Sequence, residues 1–564
     1  MTDVITEHID IWTSTITTKK SVGRGSSKKQ EAYGIKKLRG LILELAIRGK
    51  LVSQDSNDEP ASVLLEKIAE EKEKLIEEGK IKKQKIPPKM KKIEKPYDIP
   101  NTWEWVSLYE IIQISSGDGL TASNMNKEGK IPVFGGNGIT GYHDKANTNK
   151  PTLVIGRVGF YCGSVHITPN PAWVTDNAFK TTFSEDNIDI DFLYWLLKGT
   201  DLKENENATA QPVISGKKIY PIIVALPPVN EQRRIVTKIN ELMVLCDKLE
   251  EEQEENGATH QILVETLLNT LTNVEISEEF TEAWQRIAGH FDVLFTTEKS
   301  IDKLQETILQ LAVMGKLVAQ DLDDEPASVL LEKIEEEKER LVKEGKIKKQ
   351  IPLPKVKDEF KPFELPIGWN FVRLGDLANR IGSGSTPRGG KSAYVQTGIP
   401  FLRSQNIYND GLKLHDVAYI SEETHNKMSN TIVYENDILL NITGGSLGRS
   451  TIFPSDIGEA NVSQHVTIIR PTESTMKNYL HLCILSPYIQ KLIWDRQVGV
   501  AREGLSKKVL ELFEIPLPPI EEQYRIVKKV DTLISLCDNL RLALKEIQTT
   551  QINLADTVSK QLAK

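Results

Sequence analysis

Residues that carry metal and redox chemistry are scarce in this sequence. Its four cysteines, Cys162, Cys246, Cys483 and Cys537, show no C-x-x-C spacing, and its nine histidines are scattered. That argues against a disulfide framework or a zinc module and in favour of small buried hydrophobes in a reducing compartment. Long apolar runs are missing too. The most apolar short stretch, Ile222 to Leu226, is strand-sized, and MTDVITEHIDIW has no basic flank. No signal peptide, membrane span or membrane partner is expected, and a cytoplasmic location is. There is no basic excess: the formal charge is −8, so the composition does not advertise a nucleic-acid binder, although charge acts locally. Complete catalytic motifs are also lacking. GSTPRGGKS (384–392) imitates a phosphate loop, but Ser385 stands where the first glycine belongs, and SAYVQTGIPFL after it reads as extended, not helical. NPAW (170–173) approaches the Asn-Pro-Pro-aromatic motif of amino-methyltransferases, but Ala172 replaces a proline and no glycine-rich cofactor loop accompanies it. No catalytic residue and no metal ligand is assigned.

What the sequence does contain is a duplication. LPPVNEQRRIVTKINELMVLCDKLE starts at Leu226, and LPPIEEQYRIVKKVDTLISLCDNLR starts at Leu517. In the second copy Ile526, Val530, Leu533, Cys537, Leu540, Leu544, Ile547 and Leu554 follow a four-three alternation. In the first, Ile235, Ile239, Leu242, Cys246 and Leu249 do so, with resumption at Leu263 and Leu267. A 3.5-residue spacing is the seam of a coiled coil, which needs a partner helix. One copy alone reads as a helix lying on a globular core; two copies point to helices that pair with each other. A second block also repeats. DEPASVLLEKI stands at 58–68 and again at 324–334, the stripe Ile35, Leu38, Ile42, Leu45 returns as Ile301, Leu304, Ile308, Leu311, and Trp103 maps onto Trp369. Pro60 suits a helix start, and Gly49 and Gly79 suit helix ends. The Glu/Lys-rich middle of this block reads as a solvated face. A shift of 266 residues is far longer than a solenoid unit, so this is a duplicated module of helical spacer and globular domain.

The boundaries read as follows: 1–34 an N-terminal extension; 35–100 a helical region; 101–226 a first globular domain; 227–366 a central helix and spacer; 367–517 a second globular domain; 518–564 a C-terminal helix. Both globular parts carry short β-type runs broken by Gly, Asn and Pro, such as 152–168 and 437–453, with helical pieces at 191–199 and 477–487. The fold class is α+β: two α/β domains carried on long coiled-coil helices with an internal pseudo-twofold duplication. Repeated scaffold around divergent domains implies one partner geometry and two different things read.

The loops suit recognition. GGNGITGYHDK (135–145) offers Asn137, Tyr142, His143 and Lys145, and RSQNIYNDG (403–411) offers Arg403, Ser404, Gln405 and Asn406. Arginine can bond guanine bidentately in the major groove, and Asn or Gln can do so with adenine. Arg157 and Arg449 lie in glycine-rich turns, and Arg502 is a further DNA-binding candidate. Lys217-Lys218 and Lys507-Lys508 precede the exit strands at matched positions, where lysine suits phosphate. Any one of these taken alone reads more readily as an ordinary solvated turn. Residues 101–226 hold 10 basic and 13 acidic side chains, and 367–517 hold 15 and 14, so neither is a strongly basic binder alone, and in a nucleic-acid complex partner subunits would have to supply much of the backbone contact.

Taken together, the two L-P-P-[VI]-x-E-Q-x-R-I-V helix starts, the two L-A-x-x-G-K-L-V-x-Q-D helix ends, and the phrases IPVFGGNGITGYHD and GSGSTPRGGKSAYVQTGIPFLRSQNI resemble the specificity (S) subunits of type I restriction-modification enzymes. ITEHIDIWTS followed by YGIKKLRGLILELA is most similar to the IB group. The resemblance implies two target-recognition domains, each reading one half of a split, asymmetric site in double-stranded DNA. Their helices would pair antiparallel as a ruler. It also implies two modification (M) subunits, bringing S-adenosylmethionine and adenine-N6 methylation, and two restriction (R) subunits, using ATP and Mg2+. This chain itself would bind no cofactor and catalyse nothing. The alternatives are a standalone DNA methyltransferase or nuclease, which needs motifs not found here, and a coiled-coil scaffold for proteins, which leaves the divergent domains without a shared task.

Overall fold

The computed structural model describes residues 6–19, 29–81, 95–126, 128–203, 213–274, 277–357, 361–497 and 504–564. The chain divides into two compact units: Met1–Gly257 with Glu546–Lys564, and Ala258–Lys545. The helices that position the rest are α1 (Tyr33–Ile47), α2 (Ala61–Glu77), α3 (Ile190–Gly199), α4 (Val229–Asn273), α5 (Glu298–Val313), α6 (Ala327–Lys343), α7 (Lys477–Leu485) and α8 (Ile520–Ala563).

The duplicated block folds twice in the same way. Gly49, at φ +69°, ends α1, and a Cβ there would lie 2.6 Å from Pro100 and 3.2 Å from the Trp103 ring. Gly315, at φ +70°, ends α5 against Pro366 and, at 3.2 Å, the Trp369 ring. Only glycine fits both the left-handed backbone and the close approach. Pro60 and Pro326 stand immediately before α2 and α6, whose first amides donate to Thr102 O and Gly368 O, each at 2.9 Å. These spacer helices bury one short edge, Ala61, Leu64 and Ile68 or Ala327, Leu330 and Ile334, and leave their Glu/Lys face to solvent. The motif after each Leu-Pro-Pro is a polar latch. Arg234 bridges Asp58 at 2.5 Å and Arg525 bridges Asp324 at 2.6 Å. Gln232 and Gln523 donate back to Pro227 O and Pro518 O.

In the first unit Ile235, Ile239, Leu242 and Cys246 of α4 are buried, with Leu249 half-buried. They share a core with Ile35, Leu38, Ile42 and Leu45 of α1 and with Ala555, Val558 and Ala563 of α8. Arg39 of α1 reaches Asp247 and Glu250 of α4, and Gln54 beyond α1 reaches Glu231. Tyr33 and Lys37 reach Asp556 of α8, and Lys50 reaches the carbonyl of Lys564. Contacts thus run forward along α8 and backward along α4, so the two long helices lie antiparallel, and α1 completes a three-helix arrangement. The second unit repeats it. Ile526, Val530 and Cys537 of α8, with Leu533, Leu540 and Leu544 half-buried, pack with α5 and with Val264, Leu268 and Leu271 of α4. Arg541 bridges Asp302 of α5 at 2.6 Å, and Lys316 caps the end of α4 at Thr272 O and Val274 O.

Two corrections to the seam follow. Ile547 and Leu554 are about half exposed, and the buried stripe passes instead through Ala555 and Val558. Leu263 is likewise half exposed and Leu267 only partly covered, while Val264, Leu268 and Leu271 are buried. A straight helix drifts about 20° per heptad from a 3.5-residue repeat, so a stripe read far along it slips by one position. The partner differs as well. The opening half of each long helix is cross-linked to α1 or α5, and not only to the other long helix.

The strands follow one plan in both units. The first holds β1 (Glu104–Ser107), β2 (Gln113–Ser116), β3 (Ile131–Gly135), β4 (Gly138–His143), β5 (Leu153–Gly156), β6 (Val165–Ile167), β7 (Trp173–Val174), β8 (Ala178–Thr182) and β9 (Ile223–Leu226). The second holds β10 (Asn370–Arg373), β11 (Ala378–Ser383), β12 (Tyr394–Val395), β13 (Ile399–Leu402), β14 (Ala418–Ile420), β15 (Ile432–Val433), β16 (Ile438–Asn441), β17 (Ser450–Ile452), β18 (Ala460–Val462), β19 (Val466–Pro471) and β20 (Glu514–Leu517). Antiparallel sheets of order β2-β8-β5-β6 and β11-β19-β16-β17 correspond. So do the exit pairs β1-β9 and β10-β20. A second sheet, β4-β3-β7 or β12-β14-β13-β18-β15, contains a parallel pair in each case: β3 with β7, and β13 with β18. The run after GSTPRGGKS is extended, as β12 and β13.

Candidate nucleic-acid interface

Three turns converge at the same place in each domain. Turn A follows β3 or β13, turn B joins β5 to β6 or β16 to β17, and turn C joins β7 to β8 or β18 to β19. Backbone hydrogen bonds fix them in one register. Thr175 N donates to Phe134 O at 2.9 Å, and Ser463 N to Leu402 O at 2.9 Å, tying turn C to turn A. Arg157 N donates to Asn177 O at 2.9 Å, and Ile442 N to His465 O at 3.0 Å, tying turn B to turn C. Within turn B, Gly163 N bonds Gly156 O at 2.8 Å and Gly448 N bonds Asn441 O at 2.9 Å, with φ +84° and +85° at the two glycines. Turns A and B touch directly: Ser164 Oγ donates to Gly136 O at 2.7 Å, and Asn441 Nδ2 donates to Ser404 O at 2.9 Å. The segments before the lysine-bearing helices are pinned to turn B by the bridges Val158–Val213 and Thr443–Gly504.

This register places the sequence-derived residues. Asn137 is exposed on turn A of the first domain. Tyr142 is exposed on β4, and His143 beside it stands edge-on to Trp173, with ring centroids 5.5 Å apart. Lys145 is exposed after β4. Arg157 lies over the Phe179 ring at 5.4 Å and donates to Asp176 O, so it spans turns B and C. Lys217 is exposed and Lys218 half-buried, donating to Val213 O.

In the second domain the run 403–406 resolves into one presented side chain and three supports. Asn406 is 1% exposed; its Oδ1 accepts from Arg403 N at 3.0 Å and its Nδ2 donates to Lys413 O at 2.9 Å, so its carboxamide shapes the turn. Arg403, expected to read a base, is half-buried and donates from one Nη to Asp416 O at 2.8 Å. Ser404 receives Asn441 at its carbonyl. Gln405 alone is exposed. Arg449 stacks on Tyr408 at 4.7 Å. It corresponds in register to Ser164, not to Arg157, whose counterpart is Ile442; the two arginines occupy opposite ends of equivalent turns. Lys507 and Lys508 are exposed, Lys507 near Glu511 at 3.3 Å. Arg502 lies outside the described residues.

Sequence reasoning missed two groups. Phe160 is 80% exposed on turn B and packs edge-on against exposed Tyr161. On turn C of the second domain, Thr386 Oγ1 donates to Gln464, Gln464 Nε2 to His465 Nε2 at 3.2 Å, and His465 Nδ1 bonds Thr443 Oγ1 at 2.7 Å. The signal for that chain was Ser463-Gln464-His465, a polar tripeptide between two buried strands.

Among the described residues no group of three or more His, Cys, Asp or Glu could hold a metal ion. The four cysteines are buried and form no disulfide with one another, and burial pushes the Cys246 and Cys537 thiols up to about 11 and Cys483 up to about 12. Cys246, Cys483 and Cys537 are packing groups and not nucleophiles. Among the described residues no helix is long and apolar enough to cross a membrane.

Comparison with known proteins agrees with these two domains. Residues 100–259 and 366–549 match the family described as Type I restriction modification DNA specificity domain. The chain is 39% identical to the type I restriction enzyme EcoAI specificity subunit of Escherichia coli, over 99% of this chain and 98% of that one. It is 37% identical to the EcoEI specificity subunit of the same organism, again over 99% and 98%. The EcoBI specificity subunit, also from Escherichia coli, is 23% identical over 82% of this chain and 85% of its own. With a family match in both domains and relatives of this identity along nearly its whole length, the chain belongs to the type I restriction-modification DNA specificity subunits.

Proposed function

We propose that each globular domain reads one half of a split, asymmetric target in double-stranded DNA, and that the chain itself is non-catalytic. The observation that carries this is the shared register of turns A, B and C. Two domains with few identical residues hold one backbone arrangement and present different side chains at matched positions, which is what two reading heads on one scaffold require. Side-chain contacts to base edges specify, whereas Lys217, Lys507 and Lys508 suit phosphate. The near-neutral domains call for help in enclosing the duplex. Two M subunits would give it, bringing S-adenosylmethionine and adenine-N6 methyl transfer, while two R subunits would use ATP and Mg2+ for translocation and cleavage. The N-terminal region fits the IB group, and the complex would act in the cytoplasm.

Expression of this chain with its cognate M subunit in a methylation-free host, followed by genome-wide mapping of N6-methyladenine, tests the reading. Two short half-sequences with a fixed gap are expected. A single contiguous motif, or methylation without this chain, would overturn it.

A further inference from the structure

We propose that Asn137 and Gln405 are matched adenine-reading side chains, so that each half of the target carries an adenine at the same place relative to its domain. The inference rests on the two-headed reading above and narrows it to one residue per domain.

The match is one of register. Val133 and Phe134 pair with Trp173 and Val174 as Phe401 and Leu402 pair with Asn461 and Val462. The bonds from Thr175 and Ser463 fix the same alignment, to Phe134 O and Leu402 O. Counting three residues on from these acceptors gives Asn137 and Gln405. Both bear a carboxamide and both are exposed. Neither carboxamide is bonded to another side chain or to backbone among the described residues, although nearly every polar neighbour is. Beside Gln405, Asn406 is engaged by both carboxamide atoms and Arg403 donates to Asp416 O, while Ser404 is held through its carbonyl.

Each carboxamide also sits on a held backbone. Gly136, beside Asn137, is so close to Val158 that a Cβ there would lie 2.8 Å from its carbonyl oxygen, and Gly138 has φ +85°. Gln405 occupies the centre of the one-turn helix Ser404–Asn406, clamped by the two bonds of Asn406 and by Asn441. A fixed tip lowers the entropy lost when a side chain engages a ligand. A carboxamide offers one acceptor and one donor side by side, and the major-groove edge of adenine offers N6–H and N7 in the complementary order. Guanine presents two acceptors there and cytosine a donor, so neither satisfies both atoms.

The test uses the whole chain assembled with its cognate M subunit. The variants are Gln405→Ala, Gln405→Glu, Asn137→Ala and Asn137→Asp, each read by N6-methyladenine mapping and by binding to duplexes substituted at every position of both half-sites. Gln405→Ala is expected to lower discrimination at one adenine of one half-site by about 5–150-fold, the range of a lost bidentate contact. Asn137→Ala should do the same in the other half. The carboxylate variants should shift preference from adenine towards cytosine, whose N4 donates to an acceptor. The unaltered half-site reports that each variant is folded. A split wild-type motif in which no variant changes any position, or in which the changed base is not adenine, overturns this assignment alone. A wild-type motif that is not split overturns the two-headed reading itself.

Discussion

Lys338 leaves the spacer helix α6 and donates to Gly375 O at 2.8 Å and to Gln350 Oε1 at 3.0 Å. Lys72 does the corresponding thing from α2, reaching Tyr109 O at 2.5 Å and lying over the Tyr109 ring at 4.2 Å. Donors and acceptors both recur at the 266-residue shift, so one lysine latch fastens each spacer helix to its globular domain. Burial pushes the Lys338 ammonium down to about 8, against the pull of Asp376, Glu511 and Glu335. Below pH 8 the group is charged in both folded and unfolded chains and adds no pH dependence. Between about 8 and the ordinary 10.5 the unfolded chain keeps a proton that the folded one has released, so stability rises with pH across that window. The urea midpoint of the wild type relative to Lys338→Met should therefore increase from pH 7.5 to pH 9.5. A constant difference would show that the latch stays charged.

At the scale of elements, the long helices explain why a periodic sequence misplaces part of its own seam. Near the start of α4 and α8 the expected positions are buried: Ile235, Ile239, Cys246, Ile526, Val530 and Cys537. Towards the ends the stripe moves by one residue because each helix half packs in a different unit against a different neighbour. The shift has a measurable cost. Leu268→Ala, at a position 1% exposed, should destabilise the second unit by about 2–5 kcal/mol. Leu263→Ala, at 49% exposed, should stay within about 0.5 kcal/mol. Urea denaturation of the two variants decides between the stripes; equal losses would restore the sequence-derived one.

For the whole molecule, α4 and α8 are each one continuous helix, of 45 and 44 residues. At 1.5 Å per residue each is about 67 Å long, roughly two helical turns of DNA. If these helices set the gap between half-sites, a heptad added after Leu249 with a matching one after Leu544 lengthens each rod by about 10 Å. The preferred spacer should then grow by about three base pairs at about 3.4 Å each, with both half-sequences unchanged. Mapped methylation with the original spacer would refute the ruler.

How much was legible differs by feature. The duplication, the helix starts and stops, and membership of the family were all readable, because they depend on local chemistry. Pro60 and Pro326 suit a helix start and not its interior, Gly49 and Gly315 adopt a backbone that favours glycine, and a repeated phrase declares itself. The reading surface was only partly so. Asn137 and Gln405 were both visible as loop residues, yet nothing in their flanking sequences reveals that they are equivalents, because the hairpin of Ile407–Tyr408 with Gly411–Leu412 and the strand β15 give the second domain a longer path from β13 to β16 than the first has from β3 to β5. Arg157 and Arg449 show the converse, looking alike in glycine-rich turns while standing at opposite ends of them. Asn406 and Arg403 looked available until Lys413 O and Asp416 O were found to hold them. The sequence by itself determined the duplicated helices, where they start and stop, and that each globular part carries short strands. Only the tertiary structure decided which loop side chains face outward together and which helix faces are covered, because both depend on partners distant in the chain.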